Sequence, residues 1–396
     1  MRIAVVNNFF PPRTGGSAHL SEALAKGYAA RGHEVLVIAA AYGGAPAEEE
    51  RDGVRIVRLP SWQLPQTRLA VSFDILFATR PSLWRRLKGV LDDFRPDAIH
   101  QHGQFFDLTW ASGLYARRRK IPTLLSVHTR LENPQASYHG IFRFLDATMV
   151  RPPMRLHKPR LVVMDVLMDE YIKARYAGAH SGLDYIPVGV EPDFTAHADA
   201  RVVRDRHQLG DAPVILSIGH VIPLRDRVTL TEALPKVLSE FPEAKLLVVG
   251  RTYFDAYQRR AEELGVGHAI IPVGVVPKAD IPHYLAAASV ESHEQGIGLG
   301  TASLEAMAAA VPVVAPVRAD NFPGIELVDG GNIHLTTPGD AEGLAGKLIE
   351  VLASPERARR VAEAGRDLVR EHFTMDRVLD KHLAVLEAQV AGAERA

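Results

Sequence analysis

The feature that most constrains this chain is a repeated alternation of short apolar runs with longer amphipathic segments. That is the pattern of βα units wound around a parallel sheet. Apolar runs at 3–6, 35–39, 98–100, 123–127 and 161–164 predict strands, and 18–31, 84–94 and 108–118 carry helical periodicity between them. Runs this uniformly apolar must be covered on both sheet faces. The segment Ile186-Pro-Val-Gly-Val-Glu-Pro-Asp193 breaks the rhythm with two prolines and a glycine, and reads as a hinge. A second series follows, with strands at 214–218, 245–249, 269–272 and 313–315 and helices at 227–240, 254–264 and 301–309. Helical patterns at 341–352, 355–371 and 375–389 close the chain. The expected fold is α/β: two doubly wound, Rossmann-like domains, residues 1–190 and 191–374, facing each other across a cleft, with 375–396 as a terminal helix. Such folds bind ligands outside the carboxyl ends of their strands.

A chain of 396 residues exceeds what one core usually supports, which agrees with two domains. Its formal net charge of −1 gives no footprint for nucleic acid, and leaves a membrane contact without support. Cysteine is absent, so disulfides, thiolate metal sites and cysteine nucleophiles are excluded, and a cytoplasmic location is expected. The opening Met1-Arg-Ile-Ala-Val-Val-Asn7 reads as a strand, not a signal peptide. No amphipathic anchor helix stands out.

Three glycine-bearing strand-to-helix turns carry the chemistry. Pro11-Pro-Arg-Thr-Gly15-Gly16-Ser17 allows close backbone approach to an anion at a helix N-terminus. It is equally readable as a flexible turn, and it is not a dinucleotide fingerprint, which weakens the case for a nicotinamide enzyme. Gly219-His220-Val-Ile-Pro-Leu-Arg225-Asp-Arg227 brings cations to the second turn, where arginine can bind a diphosphate bidentately. The third turn, Glu291-Ser-His293-Glu294-Gln-Gly296-Ile-Gly298-Leu-Gly300-Thr301, leads into a helix that carries Glu305 one turn inside. Its amides suit a phosphate, and Glu305 suits the two hydroxyls of a ribose.

With those turns in order, the sequence resembles the family 4 retaining glycosyltransferases of the GT-B fold. The resemblance extends to Arg95-Pro-Asp-Ala-Ile-His100-Gln-His102, Ser126-Val-His128, Ile186-Pro-Val-Gly-Val190 and Gly274-Val-Val-Pro277. Its most specific stretch is Gly298-Leu-Gly-Thr-Ala-Ser-Leu-Glu305-Ala-Met-Ala-Ala-Ala-Val-Pro312-Val-Val-Ala315. The resemblance implies that Glu305 binds the nucleotide ribose, that amides at Leu299, Gly300 and Thr301 hold the distal phosphate, and that Gly15-Gly16 approaches the same diphosphate from the other domain. It also places His128 beside the donor sugar, Val276 at the base, and the terminal helix back on the N-terminal domain. Two departures follow. The family's arginine and lysine of the second turn are here His220 and Arg225, and its glutamate eight residues before Glu305 is here Ile297, with Glu294 the nearest upstream carboxylate.

The implied reaction is metal-independent transfer of a sugar, with retention, from a nucleotide-diphosphate sugar to a hydroxyl. No cofactor is expected, and a UDP-sugar is the default co-substrate. A small-molecule or glycan acceptor is favoured, with His100, His102 and Arg130 on its side. His128, Glu294 and Arg225 are the candidate catalytic residues, and Gly15, Gly16, His220, Arg225, Val276, Leu299, Gly300, Thr301 and Glu305 the donor-binding ones. His100 and His102 lack a third ligand, so no metal is expected. Rival readings are a GT-B nucleotide-sugar epimerase, a phosphorylase, and a nucleotide-sugar-binding subunit without turnover. The basic stretch Arg151-Pro-Pro-Met-Arg-Leu-His-Lys-Pro-Arg160 reads as a surface connection.

Overall fold

The computed structural model describes all residues other than 14, 64–75, 133–135, 223–224, 226, 293–297 and 396, and leaves aside the side chains of 136–138 and 394. The chain forms two compact units. One comprises Met1–Gly189 with Met375–Ala396, the other Val190–Thr374.

The first unit contains β1 (Arg2–Asn7), α1 (Gly16–Ala30), β2 (Glu34–Ala40), β3 (Glu48–Arg51), β4 (Val54–Leu59), β5 (Trp62–Gln63), β6 (Leu76–Phe77), α2 (Leu83–Phe94), β7 (Ala98–His102) and α3 (Asp107–Arg119). It continues with β8 (Thr123–Ser126), α4 (Ala136–Leu145), a π-helical turn (Asp146–Val150), α5 (Arg151–His157), β9 (Arg160–Val163), α6 (Val166–Arg175) and β10 (Gly182–Tyr185). Eight strands form one sheet in the order β10-β9-β8-β7-β1-β2-β4-β3, parallel except for β3 against β4. The chain winds outward from β1 through β2 and β4, then returns to β7 on β1's other side. The order therefore reverses between β1 and β7, whose last residues, Asn7 and His102, pair in register. A crevice at that reversal is where doubly wound sheets hold ligands.

Period-two alternation sends Ile3 and Val5 to one face and Ala4 and Val6 to the other. The first face is covered by α1 and by the terminal helix α14 (Met375–Glu394), through Leu24, Tyr28, Val378, Leu379 and Leu386. A Cβ on Gly27 would stand 2.3 Å from Leu379 Cδ2, so the two helices meet too closely there for a side chain. Arg31 pairs with Asp376 and Asp380 at 3.1 and 2.9 Å, fixing the start of α14. The second face is covered by α2 and α3, with Leu87, Leu91, Leu108 and Tyr115.

In the second unit the elements are α7 (Ala200–Arg206), β11 (Val214–Ile218), α8 (Val228–Glu240), β12 (Lys245–Val249), α9 (Ala256–Glu263), β13 (Ile270–Gly274) and α10 (Ile281–Ala287). They are followed by β14 (Val290–Glu291), α11 (Thr301–Ala308), β15 (Val314–Ala315), β16 (His334–Leu335), α12 (Ala341–Ala353) and α13 (Pro355–His372). The sheet order is β13-β12-β11-β14, all parallel. A parallel bridge from Glu291 to Val313 carries it on toward the β15–β16 pair.

The sequence expectation lacks β4, α6 and α10, and two further elements depart from it for a physical reason. Glu48–Arg51 is an edge strand of charged residues, which no apolar run announces. Residues 136–157 form a continuous α–π–α rod, not a surface connection. Pro152 and Pro153 lack the amides an α-helix needs, and the π turn before them absorbs that defect. Among the described residues no helix is long and apolar enough to cross a membrane.

Candidate functional site

In the first unit the carboxyl ends of β1 and β7 set the geometry. Asn7 Nδ2 donates to Ser17 O (3.2 Å), Ser17 Oγ (3.2 Å) and Ser21 Oγ (2.9 Å), tying the start of α1 to the end of its strand. Gly15 caps α1 at φ 149°, a backbone region that favours glycine. Gly16 differs: its φ is not positive, and a Cβ there would meet nothing within 4 Å. The fold does not itself require glycine at 16.

Next to this loop lies a stack of four imidazoles. His100 is fully buried, and its Nδ1 and Nε2 bond Tyr28 Oη (3.0 Å) and Ser126 Oγ (2.8 Å). His102 Nδ1 lies 2.9 Å from His128 Nε2, with the two rings parallel at 5.2 Å. His382 reaches in from α14, 5.1 Å from the His100 ring. Its Nδ1 is 2.8 Å from Val378 O, an acceptor, so Nδ1 carries the proton and Nε2 is a bare, buried acceptor. Burial pushes His128 and His382 down to about 4, and holds His100 and His102 well below the usual histidine range. All four are neutral at pH 7. With Nε2 engaged by His102, His128 keeps Nδ1 as its ring atom open to a ligand. Arg130, two residues on, is half-buried and lies 3.5 Å from Glu132.

In the second unit, β11 and β12 are each followed directly by a glycine. Gly219 has φ 133° and Gly250 φ 135°, and a Cβ on Gly250 would stand 2.3 Å from Gly219 O. The two turns are thus packed backbone to backbone. His220 Nδ1 accepts the Arg251 amide at 3.1 Å, which fixes the neutral ring as the Nε2–H tautomer.

Arg227, fully buried with left-handed φ 65°, donates to Arg225 O (2.8 Å) and Gly219 O (3.0 Å), bracing the turn between them. Arg225 sits on that turn with its Nε buried and without a hydrogen-bond partner. Burial lowers its guanidinium from the ordinary arginine value, and no carboxylate among the described residues offsets that. A desolvated cation of this kind is satisfied by an anion.

The start of α11 completes the candidate site of the second unit. Gly300 is its N-cap, Leu299 precedes it and Thr301 opens it, so the first amides have no intrahelical acceptor. Glu305 lies one turn in. Burial raises its carboxyl, and the charge of Lys278 partly offsets the rise. Lys278 follows the exposed turn that holds Val276, after Gly274 at φ 80°.

Comparisons with known proteins bear on the family and the fold. Residues 15–165 match the model of the Glycosyl transferase 4-like domain, and residues 200–368 that of the Glycosyl transferases group 1. The chain is 28% identical over 389 residues to a GDP-mannose-dependent alpha-(1-6)-phosphatidylinositol monomannoside mannosyltransferase from Mycolicibacterium smegmatis, covering 94% of this chain and 93% of the relative. Among solved structures, sucrose-phosphate synthase from Thermosynechococcus elongatus superposes with a TM-score of 0.76 at 21% identity, covering 98% of this chain and 99% of the other. Anabaena HepE in complex with UDP gives 0.72 at 18%, covering 98% and 100%.

This chain belongs to the family 4 glycosyltransferases of the GT-B fold. Against the family pattern, the structure revises two residues. His100 is a core residue: both its ring nitrogens are taken within the protein, so it does not meet an acceptor. His102 is buried behind His128 and acts on a substrate only through it. Glu294, with His293 and Ile297, lies outside the described residues. Gly250 and His382 were not singled out from the sequence, and Arg227 was read there only as a further cation of the second turn. A glycine just after β12, as Gly219 stands just after β11, was the available signal for the first. The bracing role of Arg227 and the place of His382 gave none, because they depend on contacts made in the folded chain.

Proposed function

We propose that this glycosyltransferase moves a mannosyl group from GDP-mannose to a hydroxyl of a lipid-linked acceptor of the phosphatidylinositol mannoside class, with retention and without a divalent metal. This reading replaces the default of a UDP-sugar and a small-molecule acceptor. The M. smegmatis relative, aligned over nearly its whole length, is named for GDP-mannose and a phosphatidylinositol mannoside.

The observation that carries the nucleotide-sugar reading is the guanidinium of Arg225, whose buried Nε has no hydrogen-bond partner. Such a cation suits an anion, the task a leaving diphosphate sets. In the reaction, the bond from the sugar C1 to the diphosphate oxygen breaks, and one from C1 to the acceptor oxygen forms on the same face. The acceptor proton passes to a leaving-group oxygen, so no strong protein base is needed. Arg225, His220 and the amides at 299–301 stabilise the charge that builds on the diphosphate. Glu305 takes the ribose hydroxyls, and the turn at Val276 the base. The family resemblance assigns Gly16 to the diphosphate and His128 to the sugar. Glu294 is proposed to stand in for the family's missing glutamate at Ile297.

The test is transfer from radiolabelled GDP-mannose to a phosphatidylinositol mannoside in EDTA, with α-mannosidase digestion of the product. A labelled, α-mannosidase-sensitive glycolipid is expected. Transfer from UDP-glucose but not from GDP-mannose would reassign the donor. Loss of all transfer in EDTA would reinstate a metal.

A further inference from the structure

The α4–π–α5 rod is bound to its domain along one side only. Asp146, Val150 and Met154, four residues apart, are buried. Tyr171 donates to Asp146 at 2.8 Å, Tyr176 bonds the same carboxylate, and Arg175 stands 3.5 Å away. Asp146 is also the only acidic residue between 136 and 158, so the carboxylate of the rod is turned wholly inward.

Residues four apart share a row along a helix; the row of Phe144 faces out, and the two rows beside it are partly exposed. Phe144, Thr148, Pro152 and Leu156 are all exposed. The row of Ile141, Leu145, Met149 and Pro153 is also apolar, and that of Arg143, Ala147, Arg151 and Arg155 is basic. Lys158 extends the charge past the end of α5. Of the nine large apolar side chains exposed among the described residues, four lie here: Ile141 (40%), Phe144 (66%), Met149 (39%) and Leu156 (48%). Chance scatter of surface hydrophobics does not place them on two adjacent rows beside a row of arginines. The anchoring of Asp146, Val150 and Met154 means the outward face is a built surface.

We propose that this face docks the enzyme on an anionic phospholipid surface. The apolar rows enter the boundary between headgroups and acyl chains, and Arg143, Arg151, Arg155 and Lys158 meet lipid phosphates. A rod of 22 residues spans about 30 Å, enough to lie along such a surface. The proposal extends the lipid-acceptor reading above, but its evidence is independent of it.

The experiment is flotation of the full-length protein with vesicles of phosphatidylcholine alone or mixed with phosphatidylglycerol. It is run on the wild type, on Arg143→Gln/Arg155→Gln/Lys158→Gln and on Phe144→Ser/Leu156→Ser. All three forms are also assayed with a water-soluble mannoside acceptor and sized by gel filtration. The wild type is expected to float with the anionic vesicles only. Each basic group changes such partition about fivefold, so the triple variant should bind about a hundredfold more weakly. The apolar pair should lose at least tenfold. Turnover on the soluble acceptor should stay at the wild-type level in both variants.

Failure of the wild type to float, or flotation of the variants equal to it, overturns the proposal. A dimer that the apolar pair converts to monomer, with flotation unchanged, would assign the face to a second copy of the chain. Absent soluble-acceptor turnover in the wild type would count against the donor reading and leave the flotation result standing.

Discussion

The imidazole stack predicts a steep loss of stability in acid, confined to the first unit. His382 titrates at about 4 in the fold and at about 6.5 in the unfolded chain. A depressed histidine value means that the unfolded chain binds the extra proton first. Stability is therefore complete above about pH 6.5 and falls as pH drops, levelling off below about 4. Between pH 7 and pH 5 the linkage relation gives a loss of about 2 kcal/mol for this histidine. His128, also pushed down to about 4, adds about as much again. His100 and His102 shift in the same direction. A total of at least about 4 kcal/mol is a large share of the 5–15 kcal/mol typical of a domain. All three tryptophans, Trp62, Trp84 and Trp110, lie in the first unit, so their fluorescence reports on it alone. Urea titrations followed by that fluorescence at pH 7, 6 and 5 should show the midpoint falling at each step. In His382→Leu the loss from pH 7 to pH 5 should shrink by about 2 kcal/mol. An unchanged midpoint down to pH 5 would refute the claim that these rings are buried neutral.

Three further outcomes follow from the site geometry. Gly16→Ala should leave the melting temperature unchanged or slightly raised, since the position has space and ordinary φ, while donor turnover falls at least tenfold; equal turnover would remove the loop from the site. Glu305→Ala should weaken GDP binding by about 1–3 kcal/mol in a calorimetric titration, the range for stranding buried polar partners, and unchanged affinity would take Glu305 off the ribose. Gly250→Ala should lower the melting temperature of the second unit and weaken nucleotide binding together, because its Cβ collides with Gly219 O beside His220.

The strands were the legible part of the fold. Runs such as 35–39 and 245–249 are apolar because both sheet faces are covered, and that physics writes itself into contiguous sequence. Glu48–Arg51 was not legible, since an edge strand half in solvent needs no apolar run. The α–π–α rod was hidden by Pro152 and Pro153, which signal a break in any reading that assumes α-helical hydrogen bonding. In the candidate site, glycine-rich turns marked the starts of α1 and α11, where Gly15 and Gly300 cap the helices. The tautomer of His220 depended on the Arg251 amide, 31 residues away. His382 meets His100 across 282 residues of chain, a proximity no local pattern encodes.

The central claim is that the second unit holds a nucleoside diphosphate through Arg225 and His220 without a metal. Its most direct test is calorimetric titration with GDP and with UDP in EDTA, for the wild type and for Arg225→Gln. Saturable binding of GDP in preference to UDP, weakened at least tenfold by the substitution, is the predicted result. Binding of neither nucleotide without added metal, or affinity that ignores Arg225→Gln, would contradict the account.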